Sequence, residues 1–302
     1  MADWKAANIP DLTGKIVLVT GANNGLGKAS TQLLAAKGAH VVMAVRTVTK
    51  GEKAAEDVRK EVPNAKLNVM ALDLADLASV RAFAADFTAT YDCLDVLMNN
   101  AGVMATPQMT TQDGFELQLG TNHLGHYALI GLLIDTLLAT PNSRVVNVSS
   151  GAADGANIRF DDLMFSDKYS RFEAYGQSKL ANLLFTVELQ KRLVENEAPT
   201  LAVAAHPGVT SSNLLSGMRM PVPGVTTLAN LLTRLMFPDT ATGALSQVRA
   251  AVDPNVTGGE YYGPDKGMRG WPIQVAMPEA VNAADATRLW EISADLTGVR
   301  FL

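Results

Sequence analysis

Tyr175 and Lys179 sit four positions apart in the stretch Tyr175-Gly176-Gln177-Ser178-Lys179. On a helix that spacing puts both side chains on one face, an ammonium beside a phenol. A free tyrosine, with a pKa of about 10, is a poor base near neutral pH. A fixed positive charge nearby favours the phenolate and lowers that pKa. Such a pair can pass a proton to or from the oxygen of an alcohol or a ketone. The same spacing also occurs on ordinary exposed helix faces. The pair becomes a catalytic unit only beside a cofactor, a second polar group and a substrate wall.

The elements around the pair alternate. Short apolar runs at Ile16 to Thr20, His40 to Val45, Lys66 to Leu72, Leu94 to Met98, Arg144 to Val148 and Leu201 to Ala205 read as strands. Between them lie helical segments at about Gly25 to Lys37, Thr49 to Glu61, Ser79 to Phe87, Gly114 to Leu138 and Phe172 to Asn196. A further helix is expected from Thr240 to Ala251, an edge strand at Gly258 to Tyr262 and a closing helix from Ala283 to Ile292. Strand–helix alternation calls for parallel strands with helices on both faces, an α/β doubly wound sheet. No linker divides the chain, so residues 1–302 are expected to form one domain.

Thr20-Gly21-Ala22-Asn23-Asn24-Gly25-Leu26-Gly27 joins the first strand to the first helix. Glycines there let backbone approach a pyrophosphate, and the helix N-terminus offers it free N–H groups. A plain tight turn would look similar, but the strand–turn–helix setting favours the dinucleotide. The spacing is G-x-x-x-G-x-G preceded by Thr. With Asn99-Asn100-Ala101-Gly102, Asn122 and Tyr175-x-x-x-Lys179, the chain resembles the short-chain dehydrogenase/reductase family over essentially its whole length. Asn122-His123-Leu124-Gly125-His126 and Val145-Val146-Asn147-Val148-Ser149-Ser150 are similar to the branch holding the retinol dehydrogenases and the oxidoreductase domain of the WW-domain oxidoreductase.

That resemblance implies a Rossmann sheet of about seven strands in the order 3-2-1-4-5-6-7. It also implies roles. Ser150 would bond the substrate oxygen, in preference to Ser149. Tyr175 would be the general acid/base. Lys179 would hold the nicotinamide ribose and lower the tyrosine pKa. Asn122, at a distortion in the long helix, would anchor a water in the proton relay. The cofactor would contact Gly21, Asn23, Asn24, Gly25, Leu26 and Gly27, then Asp73 and Leu74 after the third strand. Asn100, Ala101 and Gly102 would follow, with Pro207, Gly208, Val209 and Thr210 at the nicotinamide amide. Taken alone, Asp73 is equally a loop acid or helix cap. Arg46, just past the second strand, faces the adenosine ribose in this fold, with Thr47, Lys50 and Lys53 nearby. A guanidinium there grips a 2′-phosphate, so NADP is expected over NAD.

Ser150 and Tyr175 are 25 positions apart, where many family members have about half that. The extra segment, with Phe160 to Phe165 and Tyr169, either walls the site or alters a helix-packed interface. It puts the family's common tetramer in question and leaves a homo-oligomer open. Ser211 to Pro238, rich in Leu and Met, is expected to form a mobile apolar lid. His123, His126 and His206 show no metal-ligand spacing and read as structural or peripheral, and no metal is expected. Cys93, the single cysteine, reads as a buried packing residue and suits a reducing, cytoplasmic setting. A net charge of −5 gives no reason to expect nucleic acid, and no apolar run is long enough to span a bilayer. The expected activity is hydride transfer between NADP(H) and a small-molecule alcohol/carbonyl pair, with reduction as the working direction. The rival is an NADP(H)-binding regulator of the same fold. The presence of Ser150 argues against it, because a pure binder has no use for that serine.

Overall fold

The computed structural model describes residues 3–208, 240–267 and 269–302. Its centre is one sheet in the order β3-β2-β1-β4-β5-β6-β7-β8. These strands are β1 (Ile16–Thr20), β2 (His40–Val45), β3 (Lys66–Ala71), β4 (Val96–Asn99), β5 (Arg144–Val148), β6 (Leu201–Ala205), β7 (Tyr261–Pro264) and β8 (Pro272–Val275). All neighbours are parallel except β7 and β8. The inner strands are nearly continuous apolar runs because helices cover both faces. Residues alternate between two cores along each strand. Leu18, Val42, Leu97 and Val145 face one, and Val17, Val41, Val96 and Val146 face the other. β3 is an edge strand, which is why it tolerates Lys66 and Asn68.

Helices α1 (Gly25–Ala35) and α2 (Val48–Glu61) follow β1 and β2, and α3 (Leu77–Thr90) follows β3. The region after β4, expected as a helix at about Gly114 to Leu138 with a distortion at Asn122, is broken at that residue. It forms a short α4 (Leu117–Leu119), a π-helical turn (Gly120–Leu124) and then α5 (Gly125–Ala139). Gly125 is required at that joint. A Cβ there would lie 2.4 Å from the Leu74 carbonyl oxygen, so only glycine lets α5 pass so close to the loop after β3. α6 (Arg171–Glu195) carries Tyr175 and Lys179, and α7 (Thr240–Val252) and α8 (Ala283–Thr297) complete the layers.

The sheet has one more strand than expected. β8 pairs antiparallel with β7, with Pro264 opposite Pro272. Proline is tolerated on an edge but conceals a strand in the sequence. Cys93 is half-buried rather than buried. The expected lid at 211–238, and Val209 and Thr210, lie outside the described residues. Among the described residues no helix is long and apolar enough to cross a membrane.

Tyr127 on α5 packs among Phe185, Trp290 and Phe301, with ring centroids 5.1–5.5 Å away. Its hydroxyl is buried with no hydrogen-bond partner among the described residues. An unpaired buried hydroxyl costs about 1–3 kcal/mol. Tyr127→Phe is therefore expected to raise stability by about 1 kcal/mol in urea unfolding. A loss of that size would show that the hydroxyl is partnered in solution.

Candidate active site

β1 and β4 are neighbours, but the chain leaves them toward opposite sides of the sheet. Such a reversal of strand order opens a crevice at the carboxyl ends of the strands. Here the crevice is a cleft of about 480 Å³. Gly21, Asn23, Asn24, Gly25, Leu26 and Gly27 line one wall, and Arg46, Asp73 and Leu74 line another. Asn100, Ala101 and Gly102 form part of the rest.

The cleft fits a dinucleotide by two local features. The N-terminus of α1 has no side-chain cap and no acid in its first turn, so its backbone donors and positive dipole end are left for an anion. A Cβ on Gly27 would come within 2.4 Å of the Gly21 carbonyl oxygen and 2.6 Å of Asn100 Nδ2. Only glycine lets the helix start against the turn. Asp73 lines the cleft and accepts the Ala75 N–H at 3.0 Å, as a loop acid, while Asp76 caps α3.

Deeper in, the motif around Tyr175 is knitted by its own middle residues. The Ser150 hydroxyl accepts the Ala152 N–H at 3.2 Å and stands near enough to the Tyr175 phenol to favour its ionised form. Lys179 Nζ lies 5.9 Å from the centre of the Tyr175 ring and donates to the Val148 carbonyl at 3.0 Å. A Cβ on Gly102 would be 3.4 Å from that Nζ, so this cleft-lining glycine sits against the lysine, while Asn122, Ser150, Tyr175 and Lys179 themselves do not line the cleft. The Asn122 side chain holds both N–H and C=O of Val103, at 2.8 and 2.9 Å, and donates to Ser178 Oγ at 2.9 Å. Ser149 faces away and donates to the Lys179 carbonyl. Pro207 and Gly208 follow β6, and the Gly208 N–H donates to His206 Nδ1 at 3.3 Å. These two residues do not line the cleft that holds the glycine turn.

The sequence reading passed over Gln177 and Ser178, although both stand inside the motif it singled out. Gln177 accepts the Arg159 N–H at 2.8 Å and donates to the Leu163 carbonyl at 2.9 Å, pinning the inserted segment to α6. The insertion's other end is fastened through Tyr169, whose hydroxyl takes Gln118 Nε2 at 3.0 Å and donates to the Thr106 carbonyl at 3.1 Å. Glu116 caps α4 beside it, accepting the Gln118 and Leu119 N–H groups. Burial nevertheless holds its carboxyl above the usual range. The insertion thus walls the loop after β4, and no local sequence signal marks partners about 50 residues apart.

Tyr175 is pushed above the ordinary phenol value by burial, with the neighbouring Ser150 hydroxyl opposing. Lys179 is buried beside it. Burial pushes the amine itself down to about 8, because a desolvated ammonium without a carboxylate is costly.

The fold and this cleft define a nucleotide-binding oxidoreductase class. A family model for short chain dehydrogenases matches residues 15–221. Retinol dehydrogenase 12 of Homo sapiens is 43% identical over 295 residues, covering 96% of this chain and 88% of its own length. Retinol dehydrogenase 13 of Homo sapiens is 41% identical, covering 97% and 86%. A solved protein from Mycobacterium paratuberculosis, described as putative and uncharacterized, is 40% identical with a TM-score of 0.84 and full coverage of both chains. A Pseudomonas aeruginosa RhlG/NADP complex shares the fold at 23% identity and a TM-score of 0.64, covering 85% of this chain and 97% of its own. The chain belongs to the short-chain dehydrogenase/reductase family, in its retinol dehydrogenase-like branch. It is an oxidoreductase of the kind that acts on CH–OH groups with a nicotinamide dinucleotide.

The buried amine yields a stability prediction. A lysine whose folded pKa, about 8, lies below the ordinary amine value of 10.5 burdens the fold at neutral pH. That burden is relieved as pH rises between those two values. Lys179→Met, which leaves the Val148 carbonyl still bonded to Asn182, is expected to stabilise the cofactor-free protein at pH 7. The gap should narrow from about pH 8 toward 10.5. Thermal melts of both proteins across that window check it, and a pH-independent gap would contradict the assignment.

Proposed function

We propose that the protein is an NADP(H)-dependent oxidoreductase that interconverts an alcohol and the matching aldehyde or ketone on a hydrophobic small molecule. The observation that carries the cofactor choice is Arg46. It lines the cleft directly after β2, together with Thr47 and Lys50. α2 begins there with no side-chain cap and no acid in its first turn. A guanidinium, an ammonium and a helix N-terminus therefore share the wall that an adenosine ribose would face. An acid at this position would bond a 2′-hydroxyl and repel a phosphate, whereas this wall attracts one.

A nicotinamide held in the cleft would supply or accept the hydride. Ser150 donates to the substrate oxygen, using the one proton that its bond from Ala152 leaves free. Tyr175 gives its phenolic proton to that oxygen in reduction and takes one back in oxidation. Lys179 would hold the ribose, and its charge would favour the phenolate. Asn122 keeps Val103 in place, so that Gly102 stays open beside the lysine. The substrate class follows the relatives named retinol dehydrogenase, retinol being a long apolar alcohol.

Cofactor oxidation against aromatic aldehydes, retinoids, steroids and quinones, with NADPH and NADH in parallel, tests the proposal. A charge-assisted hydrogen bond contributes about 1.5–3 kcal/mol, which is a preference of roughly 10- to 150-fold for NADPH. Asn23 and Asn24 are neutral, so preference rather than exclusion is expected. Arg46→Asp should collapse or reverse the ratio. Equal use of both cofactors by the wild type, or an unchanged ratio in the variant, would show that Arg46 is not the selector.

A further inference from the structure

His126 was set aside in the sequence because it had no metal-ligand spacing. Its surroundings give it another part. The ring is buried and bridges two places that the proposed reaction needs in register. Nδ1 lies 3.0 Å from the Asn122 carbonyl oxygen, in the π-helical turn. Nε2 lies 2.9 Å from Thr20 Oγ, at the end of β1. The same Thr20 oxygen accepts the Asn100 N–H at 3.0 Å and the Ala101 N–H at 2.9 Å. Thr20, Asn100 and Ala101 all line the cleft.

Hydrogen-bond accounting fixes the tautomer. A carbonyl only accepts, so His126 Nδ1 carries the proton. Both lone pairs of Thr20 Oγ are taken by backbone N–H groups, so its hydroxyl must donate, and Nε2 is the acceptor. The weaker alternative for that hydroxyl is the Met98 carbonyl at 3.5 Å. A protonated ring would point a second N–H at an oxygen with no free lone pair. Burial works in the same direction and pushes His126 down to about 4, with Lys179 adding a like charge. His123, three positions earlier, must have the opposite tautomer. The Ser293 hydroxyl is spent on the Leu289 carbonyl at 2.7 Å, so His123 Nε2 donates to it at 2.8 Å.

We propose that His126 is a positioning residue: as a neutral Nδ1–H imidazole it braces the β1–β4 joint, which cradles the cofactor, against the turn that carries Asn122. This rests on the nicotinamide-dependent reading above. The brace acts from behind the cleft. It keeps the Thr20 hydroxyl turned away from the Asn100 and Ala101 amides, so those amides stay fixed where backbone meets the dinucleotide.

Long-range ¹H–¹⁵N correlation spectra of the histidines in the wild-type protein test the geometry without any substitution. His126, assigned by its loss in His126→Gln, is expected as the Nδ1–H form and His123 as the Nε2–H form at pH 7. An Nε2–H or doubly protonated His126 would overturn the proposal. A double-mutant cycle of Thr20→Val and His126→Leu on NADP affinity then tests the brace. Each change is expected to weaken binding roughly tenfold, and the pair scarcely more than either alone. His126→Gln, which can both donate and accept, should recover part of the loss. Multiplicative effects, or unchanged affinity in His126→Leu, would overturn the positioning role while leaving the cofactor reading intact. A wild type that binds neither NADP nor NAD would overturn both.

Discussion

The parting of β1 and β4 at their carboxyl ends is the constraint from which the site follows. Two adjacent parallel strands send their chains to opposite faces, and the crevice between them cannot be filled by either. The Thr20 hydroxyl holds that joint. It collects the two amides that follow β4, and the Asn100 side chain returns a bond to the Thr20 carbonyl at 2.8 Å. On the far side Gln247 from α7 reaches Asn100 and Ser30. The glycine turn and the start of α1 are thereby fixed against the loop after β4, and the cleft is preformed.

A second constraint is electrostatic. Tyr175 and Lys179 are useful together only in a dry site, and dryness drives both toward their neutral forms. The fold accepts that burden because the surroundings over-determine the pair. Ser178 ties the Tyr175 carbonyl to Asn122, Ser149 takes the Lys179 carbonyl, and Gln177 anchors the insertion. Perturbed groups held in place against their own solvation preference are a mark of functional sites. A bound cofactor that accepts hydrogen bonds from the amine would restore its charge and, with it, the pull on the phenol.

The inner strands were legible because burial on both faces leaves uninterrupted apolar runs. β2, β5 and β6 match their expected limits residue for residue. β8 was not legible, since a four-residue edge strand opening on proline carries no period. The π-helical turn was expected only as a distortion at Asn122, through the family resemblance and not from the local pattern. Its hydrophobic pattern continues the helical one, and only the packing of Gly125 against Leu74 shows why the helix must shift there. Gly21, Asn23 to Gly27, Arg46 and Asn100 to Gly102, which line one cleft, were legible together because each follows a strand end. Gln118 and Glu116 were not singled out, and Tyr169 and His126 were named without their partners, because those partners are brought together by topology and not by spacing.

The central claim is that Tyr175 moves the proton in a site built around a nicotinamide dinucleotide. The direct measurement compares Tyr175→Phe with the wild type in two assays on one preparation. One is NADP(H) affinity by fluorescence titration, and the other is turnover of whichever carbonyl or alcohol the wild type uses. The ring still packs on α6, so affinity should stay within about threefold, while turnover should fall by roughly 10²- to 10⁴-fold. Near-wild-type turnover in the variant would contradict the account.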